Sequence, residues 1–184
     1  YSSFLLAQNA REVDEGELFA AHCTYGALFA DVPQYTFPSP RRHEKIRVGY
    51  ISPDFRRNVM QNFIQPLLTA YDRAGFEVYV YSTAAEPDDV TEALRSYADV
   101  WRDVGDAPAA ETAARIRADE IDVLIDLAGH AAGGALPVLA RRPAPVQMLG
   151  LGYTATSGLR AVDYFLTDAV CDPVGGTSER YFTE

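Results

Sequence analysis

From residue 45 onward, short apolar runs alternate with amphipathic stretches of helical length, and that alternation leaves few architectures open. Strands are expected at 46–52, 77–82, 99–104, 123–127, 146–151 and 164–167. Helices are expected between them at 62–74, 88–98, 109–119 and 136–141. Ile46, Val48 and Tyr50, and the unbroken run Val123, Leu124 and Ile125, suit strands covered on both faces. Pro143 and Pro145 end the last helix and launch the next strand. The expected fold class is therefore α/β, a Rossmann-like parallel sheet with helices on both faces.

Before this region the pattern differs. Two helices are expected, 2–9 and 15–31, with Asp14 as N-cap of the second. Residues 32–44 hold Pro33, Pro38, Pro40, Arg41, Arg42 and His43 and show neither period, which reads as a linker. The expected division is a helical segment at 1–31, a linker at 32–44 and the sheet domain at 45–184. With 48% hydrophobic and 23% charged residues the composition is globular rather than disordered. Acidic residues outnumber basic ones, 26 against 16, which argues against nonspecific nucleic acid or anionic lipid as a partner. No apolar run approaches the roughly 20 residues of a membrane span. Cys23 and Cys171 form no disulfide framework and nothing resembles a signal peptide, so a cytoplasmic setting is expected.

In open parallel sheets a ligand sits beyond the carboxyl ends of the strands, at a topological switch point. The loops to inspect are therefore 53–61, 84–87, 128–134 and 152–158. In the first, Asp54 suits either a catalytic base or a turn cap, and Asn58 and Asn62 suit either ligand-facing amides or helix capping. The loop lacks the glycines that a pyrophosphate site needs. In 128–134, Gly129, Gly133 and Gly134 allow close backbone approach. His130, the sole histidine of the sheet domain, suits an acid, a base, a donor or a structural role. Gly150-Leu-Gly152-Tyr-Thr-Ala155 matches a dinucleotide fingerprint formally. Ser157 and Gly158 stand where its helix should run, so the glycines read instead as a loop against a ligand or partner domain. No Cys or His cluster has metal-ligand spacing, and no metal is expected.

Four ordered segments carry a family resemblance. Lys45-Ile-Arg-Val-Gly-Tyr-Ile-Ser-Pro-Asp-Phe-Arg56, Asp122-Val-Leu-Ile-Asp-Leu-Ala-Gly-His130, Arg142-Pro-Ala-Pro-Val-Gln147 continuing into Leu151-Gly-Tyr-Thr-Ala-Thr-Ser-Gly158, and Val162-Asp-Tyr-Phe-Leu-Thr-Asp168 resemble the O-linked N-acetylglucosamine transferase (SPINDLY) family. The opening helices also resemble the segment that joins that family's tetratricopeptide repeats to its catalytic region. The resemblance implies the amino-terminal lobe of a two-lobed GT-B glycosyltransferase. Its donor would be UDP-N-acetylglucosamine, its acceptor a protein or peptide Ser or Thr, and no other cofactor is implied. A carboxy-terminal lobe beyond Glu184 would hold most of the UDP, and these residues alone would be inactive. His130 and Asp54 become catalytic candidates, and Asn58, Gly129, Gly133, Gly152, Tyr153, Thr154 and Thr156 substrate-binding ones. The family usually has histidine where this chain has Asn58, and threonine and asparagine where it has Ala131 and Gly134. Those departures leave a second reading, a noncatalytic interaction module on the same lobe.

Overall fold

The computed structural model describes residues 1–38, 43–173, 175–176 and 178–184. Pro40, Arg41 and Arg42 of the expected linker lie outside them. Helices α1 (Ser2–Asn9) and α2 (Glu15–Ala27) come first. Then follow β1 (Ile46–Ser52), α3 (Gln61–Thr69), β2 (Phe76–Ser82), α4 (Asp89–Arg95), β3 (Val100–Asp103), α5 (Ala109–Ala118) and β4 (Val123–Asp126). Helix α6 (Leu136–Leu139), β5 (Val146–Gly150), β6 (Tyr164–Leu166) and a 3-10 turn at Ser178–Tyr181 complete the order.

The six strands pair in parallel in the order β3-β2-β1-β4-β5-β6. After β1 the chain winds outward through β2 and β3, then returns so that β4 pairs with β1 on its other side. The switch point therefore lies between β1 and β4, where Ile51 is in register with Asp126.

Side-chain alternation sorts the core into two layers. Ile51, Tyr79, Tyr81, Leu124 and Leu149 face one side and pack with Leu5, Tyr25, Ile116 and Leu139 from α1, α2, α5 and α6. Tyr50, Val78, Val80 and Ile125 face the other, against Ile64, Leu68 and Leu94 from α3 and α4. The expected strands are all present, and the main differences fall at helix ends. Beyond Ala27 the chain continues in i→i−3 bonds, from Leu28 N–H to Tyr25 and from Phe29 to Gly26, so the expected helix to 31 tightens into turns. Helix α3 stops at Thr69 rather than 74. Asp72 takes the Ala74 N–H on its side chain and the Gly75 N–H on its carbonyl, a turn that competes with another helical cycle.

Residues 32–44, where described, run docked along the sheet domain. Tyr35 donates its N–H to Arg141 O at 2.9 Å, Phe37 stacks under the Arg117 guanidinium, and His43 bonds Asp122 at 3.0 Å. Asp14 caps α2 as expected, accepting from Glu17 N–H at 3.1 Å. Among the described residues no helix is long and apolar enough to cross a membrane. Both cysteines are free.

Leu124 is fully enclosed, and Gly49 on the neighbouring strand lets it close: a Cβ there would stand 3.2 Å from Leu124 Cδ1 and 3.1 Å from the Tyr81 ring. Leu124→Ala should therefore lower unfolding stability by about 2 to 5 kcal/mol, read from urea denaturation. A loss below about 1 kcal/mol would show that the layer collapses around the gap.

Candidate functional site

The loops after β1 and β4 meet at the switch point. Ser52 ends β1 fully buried, and its Oγ accepts the Asp54 N–H at 3.0 Å, turning the chain so that Asp54 sits half-buried at the strand mouth. Asn58 Nδ2 donates to Asp54 Oδ1 at 2.8 Å, which also fixes the amide's orientation, since the reverse would set oxygen against oxygen. Burial pushes the Asp54 carboxyl up, while Arg56, Ser52 and Asn58 pull it back. Across the mouth, Gly133 packs on Pro53, and its carbonyl accepts from Thr83 Oγ1 at 2.9 Å, tying in the loop after β2. Arg57 leaves the mouth to pair with Asp89 at the start of α4, whose own N-cap, Asp88, accepts Arg57 N–H.

The remaining predicted residues form a second group, turned toward the opening helices. His130 is 1% exposed. Its Nε2 lies 3.0 Å from Ser157 O and must carry the hydrogen, so Nδ1 accepts from Ser2 Oγ, also at 3.0 Å. His22 of α2 repeats the logic. Its Nδ1–H donates to Leu18 O at 2.7 Å, and its Nε2 accepts from the Tyr153 hydroxyl at 2.7 Å. The rings of His22, Tyr25 and Tyr153 surround His130 with centroids 4.6 to 5.1 Å away, the Tyr25 and His22 rings nearly perpendicular to it.

Thr154 accepts from Asn9 at 2.9 Å, and Thr156 is buried, donating to Glu184 Oε2 at 2.7 Å. Glu184 Oε1 also takes the Ser157 N–H at 2.8 Å, so one carboxylate braces the whole turn. Gly129 and Gly152 serve contacts inside the protein. Gly129 has φ of +55° and lies against Tyr153, and a Cβ at Gly152 would fall 2.0 Å from Leu127 O. The structure thus sets Asp54 and Asn58 together beside Pro53, against which Gly133 lies, encloses His130 and Tyr153 against α1 and α2, and buries Thr156 against Thr183 and Glu184.

Sequence reading missed Asp126, His22, Ser2 and Glu184. Asp126 was visible as the one charge ending an apolar strand. The other three act from far along the chain, 128 residues away for Ser2 and His130, and spacing carries no trace of that.

The pocket bounded by Ser2, Tyr25 and residues 129–134 measures about 180 Å³, below the roughly 300–1,000 Å³ of ordinary ligand sites. A larger one of about 460 Å³ lies between α2 and the residues after Gly158 and contains no predicted site residue. Among the described residues no group of three or more His, Cys, Asp or Glu could hold a metal ion. Gly134, where the resembling family has asparagine, would place a Cβ 2.2 Å from Gly129 O. The present loop path therefore excludes any side chain at that position.

Burial holds His130 down to about 4 and lowers His22 as well. As pH falls from about 6.5 the unfolded chain takes up a proton that folded His130 refuses, so this group costs stability on the acid side, by up to about 3 kcal/mol near pH 4. His130→Gln removes that titration. The variant should be less stable than the parent at neutral pH, with the gap in urea midpoints narrowing between about pH 6.5 and 4. A constant gap would mean that His130 protonates in place.

The chain matches the model of Glycosyl transferase family 41 over residues 14–184. It is 39% identical over 181 residues to a probable UDP-N-acetylglucosamine–peptide N-acetylglucosaminyltransferase SPINDLY of Arabidopsis thaliana, covering 92% of this chain and 19% of the relative. It is 31% identical over 138 residues to the corresponding transferase of Caenorhabditis elegans, covering 74% of this chain and 12% of that one. A solved structure of a mutant O-GlcNAc transferase from Thermobaculum terrenum superposes on the whole chain with a TM-score of 0.91 at 33% identity, and 36% of that protein is covered. The four motifs, the strand order and the switch-point loops thus agree with a match that takes in all but the first 13 residues, and the chain belongs to glycosyl transferase family 41.

Proposed function

We propose that this chain is the amino-terminal lobe of the catalytic region of a protein O-glycosyltransferase that transfers N-acetylglucosamine from UDP-N-acetylglucosamine to Ser or Thr hydroxyls. The observation that carries this reading is the family match over residues 14–184, whose motifs include the loops that meet at the β1/β4 switch point. The chain spans about a fifth of the SPINDLY relatives it matches, 19% of the first, which leaves ample length for a second lobe.

Transfer to a hydroxyl needs the acceptor oxygen in line with the anomeric carbon and a destination for its proton. It also needs positive charge or aligned amides on the leaving diphosphate. Asp54 suits the proton. It is half-buried at the mouth, raised by desolvation and oriented by Asn58. As the new C–O bond forms and UDP departs, the acceptor's proton passes to the Asp54 carboxylate. His130 is the weaker candidate in this conformation because Ser2 and Ser157 occupy both ring nitrogens. Its loop, with Tyr153 and Thr156, would act by holding the rim.

The loop after β1, residues 53–61, has no glycine with which to cradle a phosphate, so the diphosphate would fall to a carboxy-terminal lobe across the cleft. Val59 and Phe63, 70% and 54% exposed beside Asn58, offer an apolar lip for that lobe or for the acceptor peptide.

Calorimetric titration of UDP and UDP-N-acetylglucosamine into this chain and into the longer natural protein tests the reading. Binding by the longer protein alone supports it. Binding by neither, with no sugar transferred or hydrolysed, overturns it in favour of an interaction module, and binding by this chain alone puts the nucleotide on the wrong lobe. In the longer protein Asp54→Asn should lower kcat by about 10²- to 10⁴-fold with donor affinity retained. Equal turnover would remove Asp54 from the proton's path.

A further inference from the structure

We infer that Asp126 is held as a neutral carboxylic acid at the switch point, a positioning residue that fastens the 128–134 loop to the end of β4 and leaves the negative charge there to Asp54.

Asp126 is the last residue of β4 and is completely enclosed. Its two oxygens have unequal surroundings. Oδ1 accepts two backbone N–H groups, from Ala128 at 2.8 Å and Gly129 at 3.2 Å, and those bonds bend the chain out of the strand into the loop that carries His130. Oδ2 is buried with no partner among the described residues. No Lys, Arg or His among the described residues forms an ion pair with it; such pairs as Arg47 with Glu77 and Arg102 with Asp119 lie elsewhere.

The groups that face Asp126 make a charge there worse. Asp54, in the loop after β1, is a second acid that raises it. Tyr25 of α2 is raised chiefly by burial, and Asp126 adds to the rise, an interaction between groups that both become negative. His130, on the loop that Asp126 holds, is neutral by burial. An ionised carboxylate with one oxygen unsolvated, no cation and another acid nearby is among the costliest arrangements a protein interior can hold, and protonation removes the cost. Desolvation pushes the carboxyl up to about 7, with the two amide donors opposing and Asp54 adding to the rise.

On the transferase reading this arrangement has a use. Two ionised carboxylates at one strand mouth would each raise the other and compete for one proton. With the proton resident on Asp126, Asp54 stays ionised and free to accept another. Asn58 also has a buried oxygen without a partner among the described residues, so the same mouth holds an unused acceptor beside the acid pair.

The test uses Asp126→Asn in the 184-residue chain. Asparagine keeps an oxygen for the two amides and cannot ionise. Between about pH 4 and pH 7 the unfolded chain releases the Asp126 proton while the folded chain keeps it, so the parent loses stability as pH rises across that window. The urea midpoint of the variant should therefore gain steadily on that of the parent over the same range and then level off. A gap that stays constant, or that moves in the parent's favour as pH rises, overturns the inference. Infrared difference spectra give a second reading that does not depend on the variant folding. The parent at about pH 5 should show the carbonyl stretch of a buried protonated acid, lost above about pH 8. Absence of that band at the lower pH also overturns it. Neither measurement needs a donor sugar, so a failure of the transferase reading would leave both outcomes legible.

Discussion

The opening helices and the sheet domain are joined by buried hydrogen bonds that neither part could satisfy alone. The Tyr153 hydroxyl is satisfied by His22, the His130 ring by Ser2 on one side and Ser157 on the other, and α2 comes so near the following turn that a Cβ at Gly26 would stand 1.8 Å from Gly158 O. Removing α1 and α2 would take away the His22 and Ser2 partners of Tyr153 and His130 and remove Leu5 and Tyr25 from the core layer they pack in. The conformation of the 128–134 and 152–158 loops is consequently a property of the joined unit. The boundary expected at residue 31 follows the change in sequence periodicity, and hydrogen bonds cross it.

Much of the sheet was legible because its information is local. A strand covered on both faces must be apolar at successive positions, and Val123, Leu124 and Ile125 can hardly be read otherwise. The switch point follows once the strands are ordered, and with it the location of Asp54 and Asn58. Helix ends were harder to read. What ends α3 is the Asp72 side chain capturing an amide two residues on, a choice between two local bonds of similar strength. The enclosure of His130 was not legible at all. A histidine in a glycine-rich loop has the same sequence signature whether it faces a ligand or a helix from another part of the chain, and here the helix arrives from more than a hundred residues upstream.

The glycines make the same point from the opposite direction. Glycine-rich loops at strand ends are read as ligand cradles because backbone can approach a phosphate there. Here Gly152 and Gly134 sit where a Cβ would fall 2.0 and 2.2 Å from carbonyl oxygens of the protein itself, and Gly129 lies against Tyr153. The approach that the sequence permits is used for packing. Gly134 also changes the meaning of the family departures. In this loop path a Cβ at 134 would meet both Gly129 O and Ala131 O, so Gly134 is required by the turn that holds Ala131. Asn58 differs in kind, since its amide has a definite partner in Asp54 and orients that carboxylate as an imidazole there could also do.

On the transferase reading, charge bears on how labour would divide across a cleft between two lobes. The chain carries a formal charge of −10, and the switch point brings together two carboxyl groups, those of Asp54 and Asp126, and the Asn58 amide. On that reading a nucleoside diphosphate approaching a chain of this overall charge would meet long-range repulsion, screened over about 8 Å at physiological ionic strength. An acceptor hydroxyl would meet the reverse: a carboxylate placed to receive its proton and, on the inference drawn for Asp126, a neutral acid that does not compete for it. On that reading the lobe suits the acceptor's oxygen, and the positive charge that would draw in and hold the donor would come from the surface facing it.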